Sequence, residues 1–388
     1  MSWNRALPYG TRDKLFDESR RMTEVSYAIL SSFYQRGYQQ IETPTFEYKE
    51  IFSNTLDERD PHLYQFFDKR GRTLALRPDM TLPIGRVVST IGLEGPLKLT
   101  YSGKVFRVYD EFTGKNNEQM QSGIEIIGGD PLKAEVEAVA SVIEMFKVLA
   151  ITDVTIEIGH AAIYQSLTKE LQLDAAAQQQ LASLLESKSL SGMREFAKQY
   201  RAEEALLLQL PRLFGTPTTI KRAVALTTSP TIKAALQRMG QLIAQLEMMG
   251  YGRYLSVDLG MVQTFDYYTG VIFRGYTNTS AQEFLSGGRY DELFQRFGGE
   301  KRTAVGLGIN LDEVVRLKQH EPVSPTNKMI RTLVHYDVYA CEVAALTATP
   351  QTELSLCATL TESLTYAREH QFQRVLAYSE TGIEVIEV

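Results

Sequence analysis

The chain has 388 residues, too many for one ordinary core and enough for two or three domains. With 44% hydrophobic and 23% charged residues it has an ordinary globular composition, and no run of about 18 apolar residues offers a membrane span. A formal net charge of -6 argues against a surface given over to binding the phosphate backbone of nucleic acid.

The first residues, MSWNRALPYGTRDKLFDE, lack a basic head followed by an apolar core and do not read as a signal peptide. Met22, Val25, Ile29, Leu30 and Phe33 recur at spacings of three and four, which predicts a helix over 15–36 that Gly37 stops. The run 40–46 is short, partly β-branched and carries Pro44, so it reads as an edge or irregular strand. A short strand over 74–77 ends at Pro78. Stronger strands are expected at 97–108 and 123–128, joined through the polar stretch EFTGKNNEQMQ as a long hairpin loop. Asp130 and Pro131 open the next helix, Asp as its cap and Pro in its first turn. A strand follows at 154–158, and residues 161–249 read as mainly helical, with a helical insertion at about 165–249. Strands return at 255–259 and 271–276. SGGRY (286–290) reads as a tight turn, with a short helix after it over 291–297. VGLGI (305–309) reads as a strand with glycines at close-approach positions, and a helix starts near Asp312.

The segment EPVSPTNK (321–328) has two prolines and no apolar periodicity and reads as a linker after a core of residues 1–320. Beyond it, MIRTLVHY, a helix near 339–347, LSLCAT, a helix over 362–371, RVLAYSE and GIEVIEV suggest a small α/β domain at 329–388. Cys341 and Cys357 are the two cysteines; they point to neither a disulfide framework nor a metal site and suit a reducing, cytoplasmic compartment.

No GxxxxGK[ST] loop and no GxGxxG is present. The residues that could line a pocket carry two readings each. Asp79, after Arg77-Pro78, could face an ammonium group or cap a helix begun at Met80. Arg107 has the shape for a bidentate grip on a carboxylate, and equally for a structural ion pair. Gln121, Gly123 and Glu125 share strand parity, so they line one face. If buried, Glu125 needs a partner, either a ligand cation or a protein arginine. Tyr267 and Tyr268, followed by Gly270, could bond a ligand or form ordinary cross-strand aromatic pairs. The glycines of 287–291 could bring backbone close to a ligand. His62, His160, His320, His335 and His370 show no metal-like spacing and no triad, and read as surface or core-edge histidines.

Taken together, IETPTFE (41–47), LRPDMT (76–81), the hairpin running from Phe106-Arg107 to Gln121, Gly123 and Glu125, FDYYTG (265–270), SGGRYD (286–291) and AVGLGINLDEV (304–314) resemble the core of a class II aminoacyl-tRNA synthetase, specifically histidyl-tRNA synthetase. The resemblance covers roughly residues 5–320. It implies an α+β fold with a six-stranded antiparallel sheet flanked by helices, and a dimer formed through the core. It also implies histidine-binding roles for Asp79, Thr81, Arg107, Gln121, Glu125, Tyr267 and Tyr268.

The departures from that family bear on activity. Gln263 stands where the synthetase string has its catalytic arginine, and Glu313 stands where the third motif has its ATP-binding arginine. The second-motif loop, normally rich in arginine, reads Tyr109-Asp110 and then Lys115-Asn-Asn117. Adenylate formation concentrates negative charge, so cations must be aimed at it. Loss of one well-placed donor costs about 3 to 4 kcal/mol, and a carboxylate in its place repels the phosphates. The tail of about 60 residues is short for an anticodon-binding domain and acidic on balance. This pattern resembles the regulatory subunits of ATP phosphoribosyltransferase. That likeness implies a chain without catalytic residues, metal or cofactor, joined to the short-form catalytic subunit in a hetero-octamer of histidine biosynthesis, with L-histidine as a candidate ligand. The competing readings are a divergent histidyl-tRNA synthetase and a synthetase-like regulator of another partner.

Overall fold

Met22, Val25, Ile29 and Phe33 form the buried stripe of helix α1 (Phe16–Gln35), as their spacing predicts. Gly37 follows with φ of 82°, a left-handed conformation that ends the helix at little steric cost. The computed structural model describes residues 5–53, 63–110, 114–200, 203–262, 267–278, 280–318, 331–336, 343, 351–379 and 382–388. They fall into two units, Met1–His320 and Glu321–Val388.

In the first unit the expected run 40–46 is replaced by two short strands, β1 (Gln39–Gln40) and β2 (Phe46–Tyr48). Helix α2 (Glu50–Ser53), β3 (Gln65–Phe67), β4 (Thr73–Leu76) and α3 (Thr81–Ile91) follow. Then come the paired strands β5 (Leu97–Phe106) and β6 (Glu118–Ile127). The second of these begins five residues earlier than expected, because its polar start at 118–122 pairs residue for residue with Ser102–Phe106. Helix α4 (Pro131–Val148) opens as predicted, with the Asp130 carboxylate accepting from the Lys133 N–H at 2.9 Å. After β7 (Thr155–His160) comes a mainly helical stretch: α5 (Ala161–Glu170), α6 (Ala175–Glu186), α7 (Leu190–Ala197), α8 (Glu204–Gln209), the two-residue β8 (Phe214–Gly215), α9 (Thr218–Leu226) and α10 (Pro230–Met248). The unit closes with β9 (Leu255–Asp258), β10 (Val271–Thr277), β11 (Ser280–Arg289), a 3₁₀ turn at Leu293–Phe297, β12 (Ala304–Asn310) and α11 (Leu311–Leu317).

The central sheet runs β1-β5-β6-β12-β11-β10-β7-β9-β8. Its middle six strands, β5 to β7 in that order, are antiparallel throughout, which is the sheet the sequence resemblance implies. Short strands extend both edges, β1 and β9 joining in parallel. One sheet face is apolar. Ile124, Ile126, Val305, Leu307 and Ile309 pack there with Ile29 and Phe33 of α1 and with Val139, Ile143 and Phe146 of α4. The other face carries the polar residues considered below.

SGGRY is not a turn. Residues 286–288 lie inside β11, paired with both β10 and β12, and Arg289 ends the strand against β12. A Cβ at Gly287 would overlap the Gly306 carbonyl, and one at Gly288 would meet the Tyr268 ring at 2.9 Å. The glycines supply space within a strand, not a reversal of the chain.

The second unit is a four-stranded mixed sheet of order β14-β13-β15-β16, formed by β13 (Thr332–Tyr336), β14 (Thr352–Leu354), β15 (Arg374–Ser379) and β16 (Gly382–Glu387). Helix α12 (Leu360–Glu369) begins two residues earlier than expected, because Thr359 and Glu362 form a capping box. LSLCAT is not a strand: β14 ends at Leu354, and Ser355 turns inward to bond Ser363. Of the surface and core-edge readings, His335 departs from the first: it is buried, with Nδ1 2.9 Å from the Ser363 hydroxyl. The expected linker at 321–328 lies outside the described residues, as does nearly all of the helix expected near 339–347.

Candidate functional site

Strand pairing sets the floor of the site. Gln121 faces Gly103 across β5, and Glu125 faces Gly306 across β12, with Gly123 beside Gly308 between them. A Cβ at Gly306 would overlap the Glu125 carboxylate, and one at Gly308 would lie 2.7 Å from the Gln121 amide. The period-two alternation therefore brings Gln121 and Glu125 to one face, and glycine on the neighbouring strand gives each side chain its room.

Around this floor the structure gathers Asp79, Thr81, Arg107, Gln121, Tyr267, Tyr268 and Tyr290 in one small pocket. Glu125 lies beneath it. Its Oε1 accepts from the Thr81 hydroxyl at 2.7 Å, and its Oε2 accepts from the Tyr290 hydroxyl. Its partners among the described residues are thus two hydroxyls, and not the arginine that the sequence offered as one alternative. Burial pushes its carboxyl up to about 7, against the two hydroxyl bonds that favour the charge, and nearby Asp79 adds to the rise. Tyr290 is a member that the sequence reading passed over as part of a turn. Its ring lies 6.0 Å from that of Tyr267, edge to face, and Tyr267 lies 4.9 Å from Tyr268.

Asp79 meets the capping reading of the sequence. Oδ1 accepts from the Leu82 N–H at 2.9 Å and so caps the start of α3. Oδ2 is buried with no hydrogen-bond partner among the described residues. A buried carboxylate oxygen left without a donor is costly, and burial raises the Asp79 carboxyl above its ordinary range. Arg107 is fixed by a 2.7 Å bond from Nε to the Pro78 carbonyl. The free space of this pocket is about 20 Å³, roughly what one water needs.

Arg107, Gln121, Ser286 and Gly308 also line a larger adjoining cavity of about 680 Å³. Among its described lining residues the cations are Arg107 and Lys115, and the carboxylates are Glu283, Asp312 and Glu313. Lys115 sits 5.0 Å over the Tyr109 ring, and Glu313 pairs at 2.6 Å with Arg316 on its own helix. Asp312 is held by Lys14 at 2.5 Å and accepts from the Met120 N–H at 2.9 Å. Arg107 and Lys115 are thus the cations this lining could aim at a triphosphate, where an adenylating enzyme must concentrate positive charge.

The remaining residues singled out by sequence separate. Asp110 is exposed and lies outside both linings. Gln263 lies outside the described residues. Asn117 also faces neither cavity. It is a buried tether whose amide reaches the Tyr64 hydroxyl at 2.8 Å and whose Oδ1 accepts from the Tyr109 N–H at 3.2 Å, while its backbone N–H donates to the Gly10 carbonyl at 2.7 Å. Those partners are remote in sequence, so no local signal announces the role. Among the described residues no cluster of His, Cys, Asp and Glu could hold a metal ion, and no helix is long and apolar enough to cross a membrane.

Comparison with known proteins places this geometry. The family model of histidyl-tRNA synthetase matches residues 10–314. The ATP phosphoribosyltransferase regulatory subunit of Listeria monocytogenes serovar 1/2a is 44% identical, over 100% of this chain and 98% of the relative. The protein of that name from Bacillus cereus is 40% identical, over 99% of this chain and 94% of the relative. The crystal structure of an ATP phosphoribosyltransferase regulatory subunit/histidyl-tRNA synthetase from Bacillus halodurans C superposes with a TM-score of 0.83 at 29% identity, covering 98% of this chain and 99% of that one. Apo histidyl-tRNA synthetase of S. aureus shares the fold, with a TM-score of 0.68 at 20% identity over 98% of this chain and 97% of that one. A synthetase-like fold whose larger cavity carries three carboxylates, and whose relatives match over nearly their whole length, has one assignment: the chain belongs to the family of ATP phosphoribosyltransferase regulatory subunits.

Proposed function

We propose that this regulatory, non-catalytic chain binds the short-form catalytic subunit of ATP phosphoribosyltransferase in a hetero-octamer, dimerises through its own core, and carries the histidine feedback of the first step of histidine biosynthesis in its small pocket. One observation carries the ligand half of this reading: the buried Asp79 Oδ2, with no hydrogen-bond partner among the described residues, near Glu125. Two carboxylates in an enclosed site call for a ligand with ammonium and imidazole donors. In this assignment Asp79, Thr81 and Gln121 receive the α-ammonium group. Glu125 and the tyrosines receive the imidazole, and Arg107 receives the carboxylate. The adjoining chamber, short of cations, leaves the bound amino acid unactivated.

Feedback then follows from linkage: a ligand that prefers one arrangement of the core biases the assembly that contains it. The test is to mix the full chain with a short-form catalytic subunit. A stable complex by size-exclusion chromatography, with phosphoribosyl transfer restored and inhibited by histidine, is the expected result. No complex and no restored activity defeats the partner assignment. Calorimetry showing no heat of histidine binding to the assembled complex defeats the ligand assignment.

A further inference from the structure

Glu135 of α4 is 1% exposed and takes a guanidinium on each oxygen. Arg238, from α10, donates through Nε to Oε2 at 3.0 Å, and Arg289, from the end of β11, donates through Nη1 to Oε1 at 3.1 Å. Arg289 is gripped on its other side by Asp291, whose Oδ2 accepts from Nε at 2.8 Å and from Nη2 at 2.7 Å. His160 adjoins both arginines. Burial and their charges push it down to about 4, so it stays neutral and caps α5 through Nδ1. Two guanidinium groups therefore face two carboxylates.

This cluster lies outside the pocket but is joined to its tyrosine wall. The Arg289 carbonyl accepts from the Thr269 N–H at 2.7 Å, and the Asp291 N–H donates to the Thr269 hydroxyl at 3.1 Å. A Cβ at Gly270 would meet the Arg289 Cβ at 3.0 Å and overlap its Cδ, so the Tyr267–Gly270 segment lies flat against the arginine stem. Tyr290, next in the chain, places its hydroxyl on Glu125. From the helical side, Gln165 of α5 donates to the Tyr268 carbonyl at 3.2 Å, and the Ala161 N–H donates to the Gly270 carbonyl at 2.8 Å.

We propose that Arg238, Glu135 and Arg289 form a clamp through which helix α10 positions the tyrosine wall of the pocket, making Arg238 a positioning residue for ligand affinity although it never reaches the ligand. The inference rests on reading the pocket as an amino-acid site. Removing Arg238 leaves Glu135 buried with one partner, and the carboxylate then draws Arg289 away from the wall.

The experiment uses the full chain, assembled with its catalytic partner, in wild-type, Arg238→Lys, Arg238→Met and Glu135→Gln/Arg238→Met forms. Hydrogen exchange reads the clamp without any ligand. In Arg238→Met the Thr269 and Asp291 amides are expected to exchange at least tenfold faster while the β5–β6 amides keep wild-type rates. The lysine variant, which retains a cation, is expected to restore most of the protection. Equal speeding of all amides, or none, overturns the clamp, and so does wild-type protection in the double variant together with loss in the single lysine variant. Histidine calorimetry is the second arm. Wild-type binding that weakens about tenfold in Arg238→Met supports the proposal. Unchanged binding overturns it. A wild-type protein that exchanges as expected but binds no histidine counts against the ligand reading and leaves the clamp standing on its exchange data.

Discussion

Replacing Glu125 by glutamine tests the electrostatics of the pocket with little change of shape. The carboxyl titrates near 7 in the folded chain against an ordinary 4.5. The folded state therefore keeps a proton that the unfolded chain has released, and stability falls as pH rises across that window. Each pH unit between the two values corresponds to about 1.4 kcal/mol. Wild-type protein should lose about 2 to 3 kcal/mol between pH 5 and pH 8 from this group alone. The glutamine variant has no proton to lose, and its amide still meets the Thr81 and Tyr290 hydroxyls, which can accept as well as donate. Urea unfolding followed by far-ultraviolet circular dichroism at both pH values gives the comparison. The variant should show a pH dependence shallower by that amount, with histidine binding lost. If the two proteins lose the same stability to within about 0.5 kcal/mol, Glu125 is not held protonated and the burial argument fails.

Further outcomes are expected at Asp79, Gly306 and Asn117 and in pyrophosphate exchange. Asp79→Ala removes the cap on Leu82 and should cost about 1 kcal/mol by thermal unfolding. Asp79→Asn keeps that cap and should lower histidine affinity at least tenfold by calorimetry with little change in melting temperature. Gly306→Ala puts a methyl group into the Glu125 carboxylate and should destabilise the core by about 1 to 3 kcal/mol while abolishing binding; wild-type affinity in that variant would contradict the pocket geometry. Asn117→Ala leaves the Tyr64 hydroxyl and the Tyr109 N–H without their partner and should cost about 1 to 3 kcal/mol, yet leave histidine affinity within about twofold. Histidine-dependent pyrophosphate exchange should be blank in the wild-type chain, and measurable exchange would show that the carboxylate-lined chamber still accepts ATP.

What the sequence made legible follows the range of the forces involved. Asp130-Pro131 announces a helix start because cap and first turn are neighbours in the chain. Gln121, Gly123 and Glu125 were placed on one face because strand parity is a local rule. The family resemblance then assembled distant strings that no local rule connects, and the six antiparallel strands came with it. What stayed hidden depends on tertiary space. Two adjacent glycines look like a turn in isolation, yet Gly287 and Gly288 sit in a central strand because Gly306 and Tyr268 press against them. Asn117 looked like a vacated phosphate contact, although its partners Gly10 and Tyr64 lie far back in the chain. The partners of Glu125 were missed for the same reason, since Tyr290 is 165 residues away.

The tightness of the inner pocket has a kinetic consequence. With free space of about 20 Å³, the described arrangement holds about one water, so seating the proposed amino acid requires the wall to move. The observed association rate should then level off at high ligand concentration, at the rate of opening, instead of rising without limit. The apparent dissociation constant should exceed the intrinsic one by the inverse of the open fraction. A sensor built on the proposed histidine pocket would answer to the slow average of its ligand and filter out brief fluctuations in supply.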